Sequence, residues 1–238
     1  MPKQKRSIAA ALEGLGDQAA ACKLWFLRGD AAKAYRQQRR RQAFDRIMHE
    51  GRWGDVHLSG GGSTEDVTVQ TRLIILKFIG DLGLQSMLDV PCGDLVWMSQ
   101  LFPSFPPRFA YTGGDIVPAL VERNSAAYPH YTFRLMDMVS DPLPAVDLIF
   151  CRDGLQHLPV ADIQDALDNF SASGSRFLLT TTHLRRWGLK NHQPCRVGSC
   201  RDRNLMLPPF NLANPLAIFS EQNADKFLGL WRLPLTRV

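Results

Sequence analysis

The chain has 238 residues, 45% of them hydrophobic and 21% charged, and a formal net charge of +5; this is the make-up of a globular protein, with length for one α/β domain and a modest accessory segment. Collagen-like, mucin-like and wholly disordered readings are excluded, and no apolar run approaches the roughly 20 residues of a membrane span. The charge is uneven: residues 1–50 hold eleven Lys/Arg against five Asp/Glu, residues 51–182 hold eight against fifteen, and residues 183–205 hold six against Asp202 alone.

Residues 8–27 and 31–50 are predicted to be helices. The first is Ala-rich with Ile8, Leu12, Leu15 and Ala19 on one stripe. The second carries Lys33, Arg36, Arg39, Arg40, Arg41 and Arg46 beside Tyr35, Phe44 and Ile47. Together they form a basic helical extension over 1–50, ahead of a main domain over 51–238. Such a basic patch attracts phosphate, nucleic acid or an anionic membrane, or is simply a solvated face.

Residues 51–63 read as a loop. Ser63 or Thr64 then suits a helix start, because a short polar side chain caps free amides, and the helix runs to about Leu82. Strands follow at 86–90, 109–115, 132–136, 146–151 and 176–182, alternating with helices at 95–102, 118–128 and 160–171. That alternation predicts a doubly wound, mostly parallel sheet, a Rossmann-like α/β fold. Residues 183–215 are irregular, rich in Pro and Arg. Two closing strands, 216–220 and 227–233, read as a hairpin and bring the sheet to seven strands. The five cysteines are scattered and odd in number. With no apolar signal segment at the start, this predicts a reducing, cytoplasmic setting.

The first strand ends in Leu88-Asp89-Val90-Pro91-Cys92-Gly93-Asp94. In a doubly wound sheet, ligands bind outside the carboxyl ends of the strands. Gly93, lacking a side chain, allows a tight turn whose amides approach a ligand. Asp115, followed by Ile116, ends the second strand, where an acid suits the two hydroxyls of a ribose. Asp137-Met138 follows the third strand and pairs a carboxylate for an exocyclic amine with apolar surface for a flat base. The Gly-x-Gly-x-x-Gly fingerprint of dinucleotide enzymes is absent after the first strand.

In this order the features resemble the class I S-adenosylmethionine-dependent methyltransferases, over roughly residues 50–238. The segment from Leu88 to Asp94 is similar to the family's first motif. Pro91 stands where its first glycine usually lies and Leu95 where its last often lies, while Gly93 is kept. Asp89 to Asp94 with Trp97-Met98, Cys151-Arg152-Asp153 with His157-Leu158, and Leu228 to Leu233 look like a bacterial-type subfamily with no secure substrate.

The resemblance implies S-adenosyl-L-methionine as cofactor. It places Asp89, Pro91, Cys92, Gly93 and Asp94 in the cofactor loop, Asp115 and Ile116 at the ribose, and Asp137 and Met138 at the adenine. Ser59, Gly60 and Ser63 would cover the methionine end, the alternative being a linker with a helix cap, and Trp53 ahead of them is a further cofactor-binding candidate. Arg152 would bind the cofactor carboxylate or an anionic acceptor. Asp153 and His157, after the fourth strand, are the candidate catalytic residues; His has the right unperturbed pKa for base work. Packing or orienting roles are the alternative, and many methyl transfers need only alignment.

The implied activity is O-methylation of a hydroxyl on a small molecule or glycan. The six Lys/Arg of residues 183–205 suit an anionic acceptor. Alternatives are an RNA or protein acceptor, or a methyltransferase-like adaptor without turnover. His183, His192, Cys195 and Cys200 lack the paired spacing of a zinc knuckle, and no metal is expected. Pro208-Pro209-Phe210 is similar to a motif of amino-group methyltransferases but comes after the fifth strand, so a turn is the better account.

Overall fold

The computed structural model describes residues 29–54, 58–184, 189, 191–221 and 225–238. The chain divides into two units, residues 1–39 and 40–238. Of the first, only residues 29–39 are described, contributing the opening turns of helix α1 (Asp30–His49). The predicted helix over 8–27 lies outside the described residues. The second unit, residues 40–238, contains the sheet and the helices that cover it.

Seven strands form one sheet: β1 (Ser86–Asp89), β2 (Ala110–Asp115), β3 (Thr132–Leu135), β4 (Leu148–Cys151), β5 (Phe177–His183), β6 (Ala217–Ser220) and β7 (Lys226–Arg232). Their order is β3-β2-β1-β4-β5-β7-β6. The first five are parallel, and β7 runs antiparallel to both β5 and β6. The sheet carries helices α2 (Val69–Asp81), α3 (Pro118–Ala127) and α4 (Val160–Ala172). The expected mostly parallel fold with a closing hairpin is what forms.

Strand β4 is Leu-Ile-Phe-Cys and buried throughout, and β5 is buried along its whole length. Continuous burial of this kind marks strands covered on both faces. Alternation along the strands sends side chains to two cores. Leu88, Ile149 and Leu178 pack with Ile163, Leu167 and Phe170 of α4. Met87, Leu148, Phe150 and Leu179 pack with Ile75, Phe78 and Ile79 of α2. The α4 set has the i, i+4, i+7 spacing of one helix face, and each such side chain contributes about 1.5–3 kcal/mol by burial.

Two local expectations change, and a third is kept. Helix α2 starts at Val69, not at Ser63 or Thr64; Ser63 is buried in a 3₁₀ turn, and its hydroxyl donates to Ser59 O (3.3 Å). The predicted helix over 95–102 is a 3₁₀ segment, Met98–Ser104, containing Pro103. Proline lacks the amide an α-helix interior needs, and short 3₁₀ pieces tolerate it better. Phe210 is fully buried in the α4-side core, so Pro208-Pro209-Phe210 is a packed turn. Among the described residues no helix is long and apolar enough to cross a membrane.

Candidate functional site

The strand order reverses between β1 and β4, and a cleft opens there at the carboxyl ends of the strands, as expected for an open α/β sheet. It encloses about 1080 Å³, its open mouth included.

The loop after β1 forms its floor. Gly93 has φ 58°, and a Cβ there would lie 2.3 Å from Ser59 Oγ. Ser59 Oγ donates to Asp94 Oδ1 (2.9 Å) and accepts from the Asp94 amide (2.9 Å). This pins the residues around Ser59 over the β1 loop, so Trp53, Ser59 and Ser63 all line the cleft. Gly60 is not part of that lining; a methyl added there would lie 3.4 Å from Trp53 Cβ.

The expectation that this turn offers amides to a ligand is corrected. The three amides after Pro91 are spent inside the protein: Cys92 on Gly114 O (2.9 Å), Gly93 on Asp115 Oδ2 (3.0 Å) and Asp94 on Ser59 Oγ. Pro91, Cys92, Gly93 and Asp94 still wall the cleft. Leu95 has a positive φ of 58°, a conformation glycine adopts most easily, and its side chain is anchored in the core.

Asp115 is buried where β2 ends. Its Oδ1 accepts from Val117 N (2.9 Å) and its Oδ2 from Gly93 N (3.0 Å). Burial pushes its pKa up to about 6, against the pull of these backbone bonds. The Ile116 amide bonds the carboxylate as well, and the acceptor capacity that remains suits a ribose hydroxyl; Ile116 lies alongside on the cleft wall. Deeper in the cleft, Asp89 accepts from Tyr111 Oη (2.8 Å), and burial raises its pKa to about 8. Asp137 and Met138 face the far end, where Asp137 is paired with Arg40, a residue absent from the sequence-based site.

At the end of β4, Arg152 and Asp153 sit in a buried charge cluster. Arg152 Nε bonds Glu221 Oε1 (2.5 Å), its Nη1 bonds Gly62 O (2.9 Å), and its guanidinium lies 5.6 Å over the Trp97 ring. Lys226 Nζ holds Asp153 Oδ2 (2.5 Å), and Thr71 Oγ1 donates to Glu221 Oε1 (2.6 Å). Asp153 has φ 53° and is tied by its amide to Thr181 Oγ1 (2.9 Å). Burial would raise its pKa, but Arg152 and Lys226 hold the carboxyl below its ordinary range. Arg152 Nη2 and Asp153 Oδ1 are buried without a hydrogen-bond partner. A donor and an acceptor left open on adjacent residues suit the zwitterionic end of an amino acid, because unpaired buried polar atoms are costly.

His157 differs from Asp153. Ser199 O, 3.2 Å from Nδ1, can only accept, so Nδ1 carries the proton. The ring lies 4.7 Å from Trp53. Burial lowers its pKa below 6.5, leaving it neutral at pH 7. Among the described residues no hydrogen bond engages Nε2, which is therefore an open proton acceptor facing the cleft.

Sequence reasoning missed Arg40, Glu221, Lys226 and Thr71. Arg40 is one of three consecutive arginines, and Glu221 and Lys226 flank the turn between β6 and β7. Nothing in their local spacing sets them apart. Among the described residues no group of three or more His, Cys, Asp or Glu could hold a metal ion. His183 is instead tied into the fold, its Nδ1 accepting from Arg203 N (3.2 Å).

Residues 87–173 match the family described as "Methyltransferase domain". No curated protein matches the chain. Among solved structures, the N-methyltransferase NodS from Bradyrhizobium japonicum WM9 in complex with S-adenosyl-L-homocysteine is 16% identical, with 82% of this chain and 99% of that one covered at a TM-score of 0.55. Magnesium protoporphyrin IX methyltransferase from Synechocystis is 14% identical, with 83% and 96% covered at 0.55. Burkholderia thailandensis 1,6-didemethyltoxoflavin-N1-methyltransferase is 13% identical, with 92% and 91% covered at 0.59. At these identities the likeness is one of fold.

Proposed function

We propose that the protein is an S-adenosylmethionine-dependent methyltransferase of the class I type that methylates a hydroxyl of a small molecule or glycan. The observation that carries the reading is the cleft's set of open polar positions. Asp115 is a buried acceptor at the ribose position, Arg152 Nη2 and Asp153 Oδ1 are an open donor and an open acceptor on adjacent residues, and His157 Nε2 is an open base. Two of the similar structures were determined with S-adenosylhomocysteine, one of them also with its small-molecule acceptor, and both are named as N-methyltransferases. The choice of oxygen therefore rests on His157 rather than on likeness.

The cofactor, when bound, supplies an electrophilic methyl group on its sulfonium. Asp115 and Ile116 hold the ribose, and Asp137 and Met138 hold the adenine. Pro91, Cys92, Gly93 and Asp94 wall the chain between them. Arg152 donates to the carboxylate and Asp153 accepts from the ammonium. Trp53, Ser59 and Ser63 exclude water from above. His157 accepts the acceptor's proton at Nε2, and alignment in a dry cleft does the rest.

The Gly198 amide donates to His157 O (2.8 Å) and the Arg201 amide to Gln156 O (3.0 Å). The Arg-rich 195–203 segment is thus bound to the turn that carries His157, which favours an anionic acceptor. An RNA or protein acceptor is the alternative reading, and steep salt dependence of acceptor binding would distinguish RNA.

The test is calorimetric titration with S-adenosylmethionine and S-adenosylhomocysteine, of the wild type and of Asp115→Asn. Micromolar binding by the wild type, weakened at least about 10-fold in the variant, supports the reading. Binding of neither compound returns the adaptor reading, and equal binding by both proteins removes Asp115 from the ribose site.

A further inference from the structure

We propose that Arg40 is a positioning residue of the cofactor site: it fixes the Asp137 carboxylate so that a single acceptor position faces the base, and so sets the preference for an amino over an oxo purine. The inference rests on the cofactor reading above and assigns the α1 helix a part in it.

Arg40 is 2% exposed, rare for a guanidinium, and buried charges persist only when paired. Its Nε and Nη2 both donate to Asp137 Oδ2, at 3.0 and 2.7 Å. Its Nη1 lies 3.1 Å from Asp162 Oδ2 on α4. Ser140 Oγ also donates to Asp137 Oδ2 (2.9 Å). That oxygen is therefore saturated. Among the described residues Oδ1 accepts only the Val139 amide (3.0 Å), which leaves it one lone pair.

Arg40 and Asp137 both line the cleft, as do Phe44, Ile47 and Met48. These four α1 residues are spaced i, i+4, i+7 and i+8, one helix face. A lone pair on a fixed carboxylate accepts from an exocyclic amine. It repels a keto oxygen at the same place, because two acceptors would then face each other.

Replacing Arg40 leaves the Asp137 and Asp162 carboxylates buried without their shared cation. Asp137 is then free to turn, so its acceptor position no longer faces the exocyclic amine in one fixed place. The signature of positioning is thus a change in base discrimination, which loss of packing alone does not produce.

The experiment compares the affinity of S-adenosylhomocysteine with that of S-inosylhomocysteine, its 6-oxo counterpart, for the wild type, Arg40→Met, Arg40→Lys and Asp162→Asn, with thermal melts alongside. The wild type is expected to prefer the amino compound by about 100-fold or more. Arg40→Met should reduce that ratio at least about 10-fold, mainly through weaker binding of the amino compound. Arg40→Lys, with one point charge for a two-armed fork, should fall between, and Asp162→Asn, which leaves the Arg40–Asp137 bonds in place, should keep the ratio at a lower melting temperature. A ratio unchanged in Arg40→Met, or in Arg40→Lys where the Met variant does not fold, overturns the inference and leaves the cofactor reading standing. A wild type that binds neither compound overturns the cofactor reading itself.

Discussion

Ser59 and Asp94 are joined by two reciprocal hydrogen bonds, hydroxyl to carboxylate and amide to hydroxyl, each 2.9 Å. The pair closes the covering loop onto the β1 turn, and Gly93 is the residue that leaves room for it.

Gly93→Ala should therefore loosen the cleft as well as strain the turn. The new methyl would displace Ser59 Oγ, and φ 58° disfavours any side chain. Loss of about 1–3 kcal/mol in stability is expected, together with weaker binding of S-adenosylhomocysteine. Ser59→Ala should reproduce the binding defect with a smaller stability loss. Denaturant melts and calorimetry on the two variants check this.

Asp89 and Asp115 predict how stability varies with pH. Their folded pKa values, about 8 and about 6, lie above the ordinary 3.8 because both carboxyls are buried. The folded state thus binds more protons than the unfolded state, so stability is full below pH 4 for these two groups and is lost as pH rises through 6 and then 8. Asp89→Asn keeps an acceptor for Tyr111 and removes the larger of these losses. Its gain over the wild type should grow from pH 5 to pH 8, reaching on the order of several kcal/mol. Urea melts across that range measure it; a constant difference would refute the assignment.

His157→Ala should lower kcat about 10²- to 10⁴-fold if Nε2 takes the proton, with S-adenosylhomocysteine affinity nearly unchanged. The wild-type rate should rise with pH and level off below 6.5, because burial lowers the pKa of the imidazole. A pH–rate profile with a turnover acceptor is the check, and an unchanged kcat in the variant removes His157 from the chemistry.

Glu221→Ala removes the partner of Arg152 Nε and the acceptor of Thr71 Oγ1. Stripping one member from a buried ion pair costs about 3–5 kcal/mol. Because Arg152 is then free to turn, binding of S-adenosylhomocysteine should weaken more than that of adenosine, which lacks the amino-acid end. Equal weakening would mean that Arg152 does not contact that end.

The cleft wall after β1, β2 and β3 is legible in the sequence because its residues are consecutive. Asp89 to Asp94, Asp115-Ile116 and Asp137-Met138 each follow an apolar strand, and alternating strands and helices put strand ends together. Ser63 misleads as a helix start because this good capping side chain bonds Ser59 O instead. Leu95 conceals a conformation that glycine adopts most easily.

Local patterning, period 2 in strands and 3.6 in helices, is a property of neighbouring residues, so the alternation of strands and helices, the hairpin and the acids at the strand ends can be read from the chain alone. Arg40 with Asp137, Glu221 with Arg152 and Lys226 with Asp153 are 97, 69 and 73 residues apart. Their pairing depends on desolvation: each charge is stable inside only where folding brings its opposite. One arginine among three becomes part of the site solely because the folded chain buries it against two carboxylates.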